Sequence, residues 1–87
     1  MKHAGPDALA RLAPLLRQLR AIAGLKEPRP GVFYRRSKAF LHFHDDPKGL
    51  YADVRPDPNG DFERIKIDPD DQGAALIARI EAALTGL

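Results

Sequence analysis

The sequence predicts a two-layer α+β domain: helix, four-stranded antiparallel meander, helix, with both helices on one face of the sheet. Apolar residues recur at helical spacing near each end of the chain, four short alternating segments lie between, and compact turn sequences separate those segments. At 87 residues the whole chain, 1–87, is one domain, too short to divide its core.

The first helix is expected to open near Gly5-Pro6-Asp7, where proline suits the first turn and aspartate the positive end of the dipole. Ala8, Leu9, Leu12, Leu15, Leu16, Leu19, Ile22 and Ala23 then fall on one stripe, with Arg11, Arg17 and Gln18 outside it. Pro14 interrupts this helix opposite the leucine stripe; a kinked helix is expected, with a fresh start at Pro14 as the alternative. Gly24 and the run "KEPRPG" end it. The four strands are predicted over Val32 to Arg36, Ala39 to His44, Leu50 to Arg55 and Phe62 to Ile67. Ser37-Lys38, "DDPKG" and "PDPNGD" connect them, and connections this short favour antiparallel neighbours. The last helix is expected to start at Asp68-Pro69-Asp70-Asp71, to carry Leu76, Ile77, Ile80, Ala83, Leu84 and Leu87 on its apolar side, and to stop at Gly86.

This element order is similar to that of frataxin-like domains. The first helix here carries Arg11, Arg17 and Arg20 instead of the acidic, metal-bearing helix of that family, so no residue role carries over.

Composition excludes several classes. There is no cysteine, and hence no disulfide, thiolate metal site or cysteine nucleophile. No segment has the length and apolarity of a signal peptide or a membrane span, so a cytoplasmic protein without a membrane partner is the expectation. Lys and Arg number 14 against 12 Asp and Glu, a balance that does not by itself point to nucleic acid. Ser37 lacks a neighbouring base, no glycine-rich phosphate loop follows a strand, and Asp45-Asp46 and Asp70-Asp71 fit turns and caps; the expectation is a non-enzyme with no cofactor.

Strand alternation divides the sheet into two faces. Val32, Tyr34, Ala39, Leu41, Phe43, Leu50, Ala52, Val54, Ile65 and Ile67 make the core side. The open face then holds Phe33, Arg35, Phe40, His42, His44, Tyr51, Asp53, Arg55, Phe62, Arg64 and Lys66. Four aromatics on an open face call for a cover, and the leading expectation is a small interaction module, self-associating as a homodimer through that face. The alternative is single-stranded nucleic-acid binding, with Arg35, Arg55, Arg64 and Lys66 interleaved among aromatics. The third is metal binding by His42 and His44, one strand face apart at i and i+2, joined by Asp53 if the hairpin sets it opposite His42. In that register Asp53 also faces Arg64, so the same residues make an ordinary cross-strand polar row.

Overall fold

The computed structural model describes residues 2–67, 69–71 and 73–85. Its elements are β1 (Lys2–His3), α1 (Pro6–Arg11), α2 (Ala13–Arg20), β2 (Leu25–Arg29), β3 (Val32–Arg35), β4 (Lys38–Asp46), β5 (Gly49–Val54), β6 (Glu63–Ile67), a 3-10 turn at Pro69–Asp71, and α3 (Ala74–Thr85). The class is α+β with an antiparallel sheet, as the sequence predicts. The sheet is larger than predicted: five strands run in the order β2-β3-β4-β5-β6, and the two-residue β1 pairs with β4 beside them.

Proline placement decides the N-terminal helices. Pro6 and Pro14 each sit in a first turn, where no intrahelical N–H bond is required of them. The chain breaks at Leu12, whose N–H is shared between the Ala8 and Leu9 carbonyls at 3.1 Å each. The expected kinked helix is therefore two helices, and Pro14 starts the second. Leu12, Leu15, Leu16 and Leu19 are buried as the stripe requires, and with Leu76, Ile80 and Ala83 of α3 they join one face of the sheet in a single hydrophobic cluster. At α3 the capping carboxylate is Asp71, whose Oδ1 accepts from the N–H groups of Gly73 (2.9 Å) and Ala74 (3.3 Å). The predicted cap Asp68, the predicted stop Gly86 and Leu87 lie outside the described residues. Among the described residues no helix is long and apolar enough to cross a membrane.

Strand β2 lies where "KEPRPG" was expected only to end a helix. It is an edge strand, which tolerates Pro28, and it turns into β3 through Pro30-Gly31, with Gly31 at φ 78°. Glu27 anchors it: its carboxylate takes two hydrogen bonds from Arg20 of α2 (2.6 and 3.0 Å) and one from the Gly31 N–H (2.9 Å). Arg20 holds the Glu27 carboxyl below its usual pKa.

The faces of β3 and of the start of β4 differ from the alternation given above. Phe33 pairs with Leu41 and Val32 with His42, so Phe33 points into the core and Val32 to the histidine face. The next pair is Tyr34 with Ala39, which leaves Phe40 as an extra residue in a bulge. Phe33 and Phe40 are 1% and 2% exposed and both belong to the core cluster, so neither is an open-face aromatic. In "VFYRRSKAFL" apolar residues stand on both alternating sets, so hydrophobicity does not choose a phase and a one-residue slip exchanges the faces.

The β3–β4 turn is the two residues Arg36-Ser37, flanked by the pair Arg35–Lys38. Both have positive φ (51° and 69°), as a type I′ hairpin turn demands, and neither is glycine or asparagine. That region costs a non-glycine residue about 1–2 kcal/mol, against about 0.5–1 kcal/mol of extra chain entropy for glycine. Ser37→Gly is thus expected to stabilise the fold by about 0.5–1 kcal/mol, read as a rise in thermal midpoint of about 2–8 °C. A fall in the midpoint would contradict the left-handed geometry.

Candidate functional site

Pairing between β4, β5 and β6 sets the open face: His44 opposite Tyr51, His42 opposite Asp53, and Asp53 opposite Arg64. Beyond the end of β3, the freed edge of β4 is taken up by β1, with His3 opposite His44 and the Ala4 N–H bonded to the Phe43 carbonyl at 3.1 Å. Every histidine of this chain, which has 3, therefore meets on one face. One ring nitrogen from each of His3, His42 and His44 lies within 4.8 Å of the others.

The rings pack closely, with centroids 4.9 Å apart for His42 and His44, 5.0 Å for His3 and His44, and 5.7 Å for His3 and His42. Phe62, in the connection before β6, covers His42 with its ring 4.9 Å away, and the Arg55 guanidinium lies 4.8 Å over the Phe62 ring centroid. His3 is exposed while His42 and His44 are half-buried, so the cluster opens to solvent on the β1 side.

The polar atoms converge on one nitrogen. His44 Nε2 stands 3.0 Å from His42 Nδ1 and also 3.0 Å from Asp53 Oδ2. A neutral imidazole nitrogen carries one hydrogen or one lone pair. With a hydrogen there, the carboxylate and a His42 lone pair share it; with a lone pair, it meets the carboxylate oxygen in a repulsive contact. Asp53 is only 7% exposed and is held by two hydrogen bonds from Arg64, Nε to Oδ1 at 2.8 Å and Nη2 to Oδ2 at 3.0 Å. Those bonds, followed by the charges of Arg64 and the histidines, keep the Asp53 carboxyl below its usual pKa and hence ionised. Burial, then the neighbouring His44, pushes the His42 pKa down and keeps that ring neutral. The second nitrogen of His44, Nδ1, is buried without a hydrogen-bond partner. In either neutral tautomer His44 therefore leaves its Nδ1 without a partner.

Of the other residues assigned to this face, Tyr51 is half-buried, Arg64 and Lys66 are exposed, and Phe62 is the exposed large hydrophobic residue at 37%. Arg55 donates from Nε (3.2 Å) and Nη2 (2.7 Å) to the Ala39 carbonyl. Arg35 belongs with the β3–β4 turn, away from the histidines, beside Arg36 and Lys38. With Phe33 and Phe40 in the core, two of the four aromatics that suggested a dimer contact or a base-stacking platform are gone from it.

Sequence reasoning found His42, His44 and Asp53 and missed His3. No periodic signal marks a two-residue strand; the available hint was that a chain this poor in histidine places one beside its first helix. Compared with known proteins, the chain matches no family model, no curated protein and no solved structure, so its site is read from its own geometry.

Proposed function

We propose that this domain binds a divalent transition-metal ion through His3, His42 and His44, with Asp53 as a further ligand. The observation that carries this is His44 Nε2, set 3.0 Å from both the His42 nitrogen and the Asp53 oxygen. Two nitrogens bound to tetrahedral zinc at about 2.0–2.1 Å lie about 3.3 Å apart, so His42 and His44 need to part by only a few tenths of an ångström, while His3, with a ring nitrogen within 4.8 Å, has to turn inward. A cation satisfies at once the lone pairs that a single hydrogen cannot. Imidazoles with a carboxylate suit zinc, copper, nickel or iron rather than calcium or magnesium. Arg64 in turn fixes the Asp53 carboxylate with two hydrogen bonds, the outer support that a ligating carboxylate needs.

The ion would join β1, β4 and β5. Its role on this reading is to fasten the N-terminal strand to the sheet, in a chain whose small core has little stability to spare. Association through the open face has less support than the sequence suggested, because Tyr51 and Phe62 alone offer little apolar area.

Calorimetric zinc titration tests the proposal, with protein purified without a histidine tag. One ion per chain is expected for the unchanged protein, and at least about 10-fold weaker binding for His42→Ala, the order of loss that follows removal of ligand support. Zinc heats at background, or equal binding by the His42→Ala protein, would leave an ordinary polar row and end the metal reading.

A further inference from the structure

A second concave site lies at the start of β4, around the β3–β4 turn. Its volume is about 420 Å³, and its lining holds Arg35, Arg36, Lys38 and Arg55 and no acidic side chain. Ligand pockets typically occupy about 300–1,000 Å³, more than a bare phosphate fills. The apolar part comes from Ala39, Pro56, Pro58 and Leu84, with the buried Phe40 beneath.

The charge pattern here departs from the rest of the chain. Arg20, Arg64 and Arg79 are each matched by a carboxylate at 2.6–2.9 Å, whereas among the described residues no ion pair involves Arg35, Arg36, Lys38 or Arg55. Arg35 and Lys38 are moreover direct cross-strand partners, and like charges so placed destabilise a sheet. Arg36 adds a third cation at a strained position: among the described residues, Arg36 and Ser37 are the non-glycine residues with positive φ. A turn that glycine or asparagine would relax, next to an adverse charge pair that one acidic residue would relieve, is local stability given up around a cavity. Backbone strain of this kind gathers at ligand clamps.

We infer that the β3–β4 cavity binds a nucleoside phosphate, its phosphates held by Arg35, Arg36 and Lys38 and its base lying against Pro56, Pro58 and Leu84. Guanidinium groups meet phosphate oxygens in charge-assisted, often bidentate hydrogen bonds, and two phosphates match a cluster of this charge. Arg55 serves as a fixed wall, since its guanidinium is already bonded to the Ala39 carbonyl and stacked on Phe62. The metal reading is not needed for this site, which shares none of the proposed ligands.

Binding of ADP, pyrophosphate, inorganic phosphate and a short single-stranded oligonucleotide to the full chain at low salt decides the matter. ADP is expected to bind saturably, at least about 10-fold more tightly than pyrophosphate, with Lys38→Glu and Arg36→Gly each weakening it at least about 10-fold. Both substitutions are expected to leave the thermal midpoint unchanged or higher, because each removes a local conflict. Arg17→Glu, the same charge change on an exposed position of α2, should not alter ADP affinity. The inference is overturned if ADP fails to bind, if pyrophosphate equals it, if the oligonucleotide alone binds, or if Arg17→Glu weakens ADP as much as Lys38→Glu does.

Discussion

Phe33→Ala is expected to unfold a large share of the molecules at 37 °C, although simple strand alternation makes Phe33 an exposed residue. The ring is 1% exposed and sits opposite Leu41 in the core cluster. Phenylalanine truncation in a core costs about 3–5 kcal/mol, the lost transfer energy plus the cavity left behind. A domain of 87 residues has about 4–13 kcal/mol in total, at about 0.05–0.15 kcal/mol per residue. The thermal midpoint should fall by about 12–40 °C. Phe62→Ala is the control: at 37% exposure, with its ring against His42 and Arg55, it should cost about 1 kcal/mol or less. Chemical denaturation of the two variants separates the accounts, since a Phe33→Ala cost no larger than that of Phe62→Ala would return β3 to the phase that alternation suggests.

Zinc in about 100-fold excess over its dissociation constant is expected to stabilise the protein by about 2.7 kcal/mol, raising the midpoint by about 11–22 °C. The gain should disappear on acidification, because only a neutral imidazole binds the ion and an ordinary histidine titrates near about 6.5. The metal-free protein has a pH dependence of its own. His42 has a lowered pKa in the fold, so between the ordinary value of about 6.5 and that lower folded value the unfolded chain binds more protons. Stability therefore falls as pH drops through that window and is regained as pH rises above it. Asp53 has the same sense at lower pH: its depressed pKa contributes stability above the ordinary carboxylate range, lost as pH falls toward the folded value. Thermal melts with zinc and with a chelator, at pH 7.5 and pH 5.5, test the scheme. A midpoint shift equal at both pH values would show that the histidines do not hold the ion.

The α+β class, the amphipathic stripe of α1 and α2, the strands β3 to β6 and the register His42–Asp53–Arg64 were all legible in the amino-acid order. The reason is local. Leucines at helical spacing, alternation in "LYADV" and turn residues in "DDPKG" act over a few neighbours, and a short turn propagates register along a hairpin. Where one face is clearly apolar, as in β5, a single phase buries it. The tertiary structure alone decided the rest. Phe33 and Phe40 entered the core through a bulge that no local pattern specifies, since either phase of "VFYR" buries aromatic or aliphatic surface. Strand β2 exists because the edge of β3 and the carboxylate–guanidinium contact from Glu27 to Arg20 hold a proline-containing segment that has no propensity of its own. His3 joins His42 and His44 only because β3 starts at Val32, opposite His42, and leaves the rest of that edge of β4 free, a vacancy that a strand of two residues fills. Those contacts link residues about 40 positions apart, and no periodicity within either segment encodes the distance between them.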